Sequence, residues 1–170
     1  AEYTGYYTDE LHHPIPKPVL EVKQILHRDQ PILWATGQGR PVTDVHMLLA
    51  FTRTATLWTE LEKMKIPGIQ SVCVMPESAG RFWTVVSVKQ AYPGHSRQAL
   101  FLASQSLGGA YNGRFVVVVD EDIDPFDLNL VLFSISTRVD ADSGQVQIIR
   151  DLQANRQDPD SFRQYQPRYV

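Results

Sequence analysis

The chain has 170 residues, a mass of 19.3 kDa, 43% hydrophobic residues and 21% charged residues. That composition suits one domain, or one domain with an appended piece, and excludes collagen-like or disordered chains. The formal charge is -3. It is uneven, because Asp120, Glu121, Asp122, Asp124 and Asp127 lie within one short run and basic residues slightly outnumber acidic ones elsewhere.

There is no basic stripe with interleaved aromatics, so nucleic acid is not an expected partner. No apolar run approaches the roughly 20 residues of a membrane span. A single cysteine, Cys73, excludes an internal disulfide and a multi-cysteine zinc site, and a reducing, cytoplasmic compartment is the default expectation. The opening run AEYTGYYTDE has neither a basic nor an apolar leader region, and a Tyr/Thr-rich start without an initiator suggests a piece of a longer protein.

In chain order, the proline-rich stretch His13-Pro14-Ile15-Pro16-Lys17-Pro18 must be extended. Residues 19–28 and 32–36 read as strands around Asp29-Gln30-Pro31. Gly37, Gly39 and Pro41 mark a break, which divides residues 1–40 from residues 41–170. Apolar spacings of three and four predict a helix over 43–64, stopped by Pro67-Gly68. Strands are expected over 69–76 and 82–89, joined by Glu77-Ser78-Ala79-Gly80, and a helix over 95–107. Residues 114–120 are nearly all apolar and read as a central strand covered on both faces, with 116–119 the most buried part. A third helix after Pro125 to about Thr137 and a last strand over 145–150 complete the series. The alternation predicts an α/β fold: a layered, partly parallel sheet flanked by helices. The polar tail from Asp151 reads as irregular or as an arm needing a partner.

The candidate sites are modest. The run DEDIDPFD sits at the C-terminal end of a strand, the edge that ligands favour in open α/β sheets. Its carboxylates could hold Mg²⁺ or Mn²⁺. Helix capping by Asp124, with Pro125 in the first turn and Asp127 at the positive helix end, accounts for the same residues. Lys89-Gln90-Ala91-Tyr92-Pro93-Gly94-His95-Ser96 joins a strand to a helix start and could receive an anion, though such turns are common. Adjacent His12 and His13, isolated His27 and His46, and the absence of HExxH or CxxC spacing argue against a histidine- or cysteine-based metal site made from this chain alone. Cys73, between two valines, reads as a core residue. Neither GxSxG nor GxGxxG occurs.

The order of segments is itself informative. AEYTGYYT, VLEVKQILHRDQPIL, GRPVTD, VVSVKQAYPGHSRQA, VVVVDEDIDPFDLNLVLFSISTRVD and the late Asp158-Pro159 together resemble the UbiD-family decarboxylases. The resemblance covers roughly residues 1–160. It implies the end of a cofactor-binding split β-barrel over 1–40, leaving an N-terminal β piece, and a C-terminal α/β dimerisation domain over 41–170. It implies carboxy-lyase chemistry on an aromatic or α,β-unsaturated acid, a phenolic acid being favoured. The cofactor would be prenylated FMN, with a divalent metal (Mn or Mg) and K⁺ whose ligands lie mostly upstream of Ala1. A covalent substrate–flavin adduct would lose carbon dioxide, and a glutamic acid would then protonate the carbon. Glu2 matches that acid. Lys89 matches a lysine near the cofactor phosphate, and Phe133 and Ile135 fall in a stretch that lines the substrate pocket. A homo-oligomer, dimer or higher, is implied. The alternatives are a non-catalytic dimerisation or assembly module, or a small phosphate-ligand binder using the Lys89–His95 loop.

Overall fold

Thr43 opens the first helix from an extended backbone (φ -127°), and its N–H donates to Nδ1 of His46 at 3.1 Å. The computed structural model describes residues 19–37, 39–110 and 113–149. Helix α1 spans Asp44–Lys63, with Asp44 in its first turn and Lys63 in its last, as the helix dipole favours. Its buried positions His46, Ala50, Leu57 and Leu61 recur on one face. Met64 closes the helix on Glu60 O, and Lys65 turns into the left-handed region (φ 55°).

Three strands follow: β1 Ile69–Val74, β2 Trp83–Val88 and β3 Phe115–Asp120. The sheet order is β1-β2-β3, with β1 antiparallel and β3 parallel to β2. Between β2 and β3 lie helices α2, His95–Gln105, and α3, Leu107–Ala110. The last helix, α4, is Leu128–Arg138.

Strand alternation sorts the core into two layers. On one face Val72, Val74, Val86 and Val88 pack with Leu57 and Leu61 of α1 and Ala99 and Ala103 of α2, and Val116 and Val118 join them. On the other, Cys73, Val85 and Val119 pack with Met75, Ile123 and Val131 of α4, flanked by Val117, Leu128 and Ile135. The result is an α/β/α sandwich around a mixed sheet. Leu57 and Leu61, essentially without exposure, each contribute roughly 1.5–3 kcal/mol by leaving water. The hydroxyl of Thr54 accepts from Val74 N at 2.9 Å and ties α1 to β1.

Several expectations need correction. The central strand is β2, buried from Thr84 through Val88, and not the valine run 116–119. Only Val119 of β3 is fully buried, and Phe115 is 64% exposed. Composition alone cannot distinguish an edge from a centre, since pairing order decides it. The helix expected over 95–107 breaks at Ser106, whose backbone is extended (ψ 154°). There its hydroxyl donates to Ala103 O and accepts from Gly109 N, replacing helical bonds.

Residues 19–28, 32–36 and 145–149 form no strand. Val19 and Trp34 are 91% and 95% exposed, and Ile148 is 85% exposed. A β-sequence becomes a strand only against a neighbour that takes up its N–H and C=O groups, and none stands beside these segments among the described residues. Residue 150 and the tail beyond it lie outside the described residues. No helix among them is long and apolar enough to cross a membrane.

Candidate functional site

Parallel register brings the C-terminal ends of β2 and β3 together, with Val88 opposite Asp120. The next residue on each strand is therefore a neighbour too, and Lys89 Nζ lies 3.1 Å from Glu121 Oε2. Their side chains are 67% and 50% exposed, so this pair contributes little stability but places a cation at the sheet edge. Ser87 Oγ donates to Asp120 O at 3.1 Å beneath it.

The remaining acidic residues are occupied. Arg138, at the end of α4, reaches Asp120 Oδ2 at 2.8 Å and both oxygens of Asp122 at 2.8 and 2.6 Å. Those hydrogen bonds hold the Asp122 carboxyl below the usual carboxylate range. Asp127, not Asp124, caps α4: its Oδ1 accepts from Asn129 N at 2.9 Å and Leu130 N at 3.2 Å. Asp124 Oδ1 instead accepts from Phe126 N, making the turn that leads to the cap. Pairing with Arg138, the Asp124 turn and the Asp127 cap occupy these carboxylates, and among the described residues no three His, Cys, Asp or Glu side chains could hold a metal ion.

The loop after Lys89 is built on a buried histidine. His95, at 0% exposure, accepts from Ala91 N at Nδ1 (3.2 Å) and stacks on Tyr92 with centroids 4.3 Å apart. Tyr92 in turn donates its hydroxyl to Gln98 Oε1 at 2.6 Å. Gly68 lies under the loop and accepts from Lys89 N at 2.8 Å. Its φ is +71°, and a Cβ there would stand 2.5 Å from Lys89 O and 3.2 Å from His95 Cε1. Glycine is required on both counts.

Of the residues singled out from the sequence, Lys89 is at this edge and Glu2 lies outside the described residues, as do His12 and His13. Phe133 is 59% exposed on α4, whereas Ile135 packs against the second core layer. Residues two apart on a helix diverge by about 200°, so the structure does not bring these two to one surface. Cys73 is buried, and its thiol is pushed up to about 12 by burial and then by Glu77 and Asp124, leaving a protonated core side chain. A shallow cavity of about 220 Å³ lies elsewhere, between Thr52, Arg53 and Thr56 of α1 and Leu107 and Gly108 of α3. The sequence reading missed Glu121 as the partner of Lys89, because parallel register is not visible in sequence. It also missed Gly68 and His95 as loop supports, although the Pro-Gly-His run was a signal.

The mixed α/β/α sheet thus carries a lysine and a glycine-turned helix start at the C-terminal edge of its parallel pair, the edge at which open α/β sheets take ligands. Residues 46–165 match the family described as the 3-octaprenyl-4-hydroxybenzoate carboxy-lyase C-terminal domain. The chain belongs to that UbiD family, and within it represents the C-terminal domain. An uncharacterised protein of Archaeoglobus fulgidus is 31% identical over 140 residues, which are 82% of this chain and 28% of that protein.

Among solved structures, vanillic acid decarboxylase of Sedimentibacter hydroxybenzoicus in its open form is 29% identical with a TM-score of 0.67, over 78% of this chain and 28% of that one. The UbiD-class enzyme HmfF of Pelotomaculum thermopropionicum, in complex with FMN, is 29% identical with a TM-score of 0.57, over 67% of this chain and 24% of that one. Klebsiella pneumoniae 3,4-dihydroxybenzoic acid decarboxylase is 27% identical with a TM-score of 0.51, over 57% and 20%. The chain thus spans about a quarter of the length of these relatives.

Proposed function

We propose that this chain is the C-terminal part of a non-oxidative decarboxylase that acts on an aromatic acid, a phenolic acid foremost, with prenylated FMN. The observation that carries the reading is the match over residues 46–165 together with likeness to decarboxylases of vanillic and 3,4-dihydroxybenzoic acid. HmfF in complex with FMN supports a flavin cofactor. Among the described residues the fit rests on Lys89, an accessible cation suited to a cofactor phosphate. When bound, the modified flavin supplies the electron sink for loss of carbon dioxide.

This chain's residues take the remaining tasks. Lys89 meets the phosphate as a point charge. Phe133 offers an exposed aromatic face to the substrate ring, and Ile135 seats α4 on the core behind it. Glu2 holds a proton and delivers it to the carbon that has lost its carboxylate. Any Mn, Mg or K⁺ requirement falls to residues outside the described ones. Exposed Met47, Leu48 and Phe51 on α1 favour a homo-oligomer, and a single cysteine with no partner for an internal disulfide suits a reducing, cytoplasmic setting.

The test uses the full-length enzyme, produced with its modified flavin and offered a panel of phenolic, heteroaromatic and cinnamate-type acids. Carbon dioxide release from a phenolic acid is expected. Glu2→Gln should retain flavin and lower turnover roughly 10²–10⁴-fold, with solvent-deuterium incorporation slowed in parallel. Flavin-loaded protein that releases no carbon dioxide from any of these acids would refute the reading. Normal turnover in Glu2→Gln would remove Glu2 from it.

A further inference from the structure

We infer that His95 is a positioning residue that sets where Lys89 presents its charge, acting through the backbone of residues 89–95. This rests on the reading of Lys89 as the phosphate contact. The argument starts from the imidazole. Its Nδ1 accepts from Ala91 N, which leaves the ring hydrogen to Nε2. Nε2 is buried without a hydrogen-bond partner among the described residues. A leucine would fill this space without leaving a donor unsatisfied, so packing alone does not account for a histidine. What a leucine lacks is the acceptor at Nδ1.

That acceptor is one of three holds on the loop. Ala91 is fixed by the hydrogen bond, Tyr92 by the stacked ring at 4.3 Å, and the Lys89 backbone by Gly68 O at 2.8 Å. Gly68 also approaches the His95 ring, 3.2 Å separating its would-be Cβ from Cε1. One imidazole therefore spans the loop from Lys89's support to the start of α2. Glu121 steadies the ammonium from β3 at 3.1 Å, but only the loop backbone decides where the lysine stem begins. His95 is fully buried, so it acts on Lys89 through the loop backbone.

The experiment measures FMN and riboflavin affinity of the full-length apoenzyme by fluorescence titration, for wild type, Lys89→Met, His95→Leu and His95→Asn. Riboflavin lacks the phosphate, so an effect confined to FMN reports on the phosphate contact. Lys89→Met should weaken FMN about ten- to a hundredfold, the scale of a charge-assisted contact, and leave riboflavin unchanged. His95→Leu should do the same, and adding it to Lys89→Met should cost nothing more. His95→Asn, whose amide oxygen takes the place of Nδ1, should restore most of the affinity. Should His95→Leu not fold, His95→Gln, whose longer amide stands at the Nε2 position rather than at Nδ1, is compared with His95→Asn instead. Unchanged FMN affinity in a folded His95→Leu with Lys89→Met weakened would overturn the inference. Equal loss for FMN and riboflavin would overturn it too, making His95 merely structural. No effect of Lys89→Met would instead overturn the reading of Lys89.

Discussion

Replacing Gly68 with alanine puts the construction of the Lys89 loop under direct strain. The backbone there has φ +71°, a region that costs an L-residue roughly 1–2 kcal/mol. The new methyl would also stand 2.5 Å from Lys89 O, a backbone atom that cannot rotate away. Overpacking of this kind costs typically about 1–3 kcal/mol. The two together predict a loss of about 2–5 kcal/mol. Gly94→Ala is the matched control: φ is +84°, yet a Cβ there meets nothing within 4 Å, so only the backbone cost applies. Urea unfolding of both variants, followed by tryptophan fluorescence, separates the conformational from the steric part. Hydrogen exchange should also accelerate at the Lys89 amide, which donates to Gly68 O. If Gly68→Ala lost no more stability than Gly94→Ala, the close packing of Gly68 against Lys89 would be wrong.

Leu61→Ala empties a fully buried position between α1 and the sheet, and should cost about 2–5 kcal/mol in the same unfolding assay. Asp127→Ala removes the cap of α4 and should cost about 1 kcal/mol, whereas Asp124→Ala should leave the helix end intact, which circular dichroism and urea midpoints compare. His46 is 1% exposed, and burial, aided by the charge of Arg81, lowers its pKa below the ordinary 6.5. The unfolded chain therefore binds the proton first, so stability should be complete above about pH 6.5 and fall as the pH drops toward the native value. Urea midpoints across that window should show a positive slope with pH, and a His46→Gln variant that kept the slope would assign it to other groups.

How much was legible in advance follows from which forces are local. Helix α1, the stop at Pro67-Gly68 and the three valine-rich strands came from periodicity and from glycine and proline chemistry, which act within a few residues. The ordered segments also carried the family, confirmed over residues 46–165. At the site, Lys89 was visible as a cation before a Pro-Gly-His turn.

Pairing decided the rest. Val116 to Val119 looked central, but β3 sits at the edge because β2 took both of its partners. Residues 19–28 and 145–149 carry strand-like patterns and form no strand, since a ladder needs a second chain segment to accept its hydrogen bonds. The link between Lys89 and Glu121, and the burial of His95 beside Gly68, join residues 27 to 32 positions apart. Sequence alone determined which segments could become helix or strand, because backbone conformation and side-chain period are local properties. Only the tertiary structure decided which strand lies inside and which side chains meet at its end, because register and contact are properties of pairs.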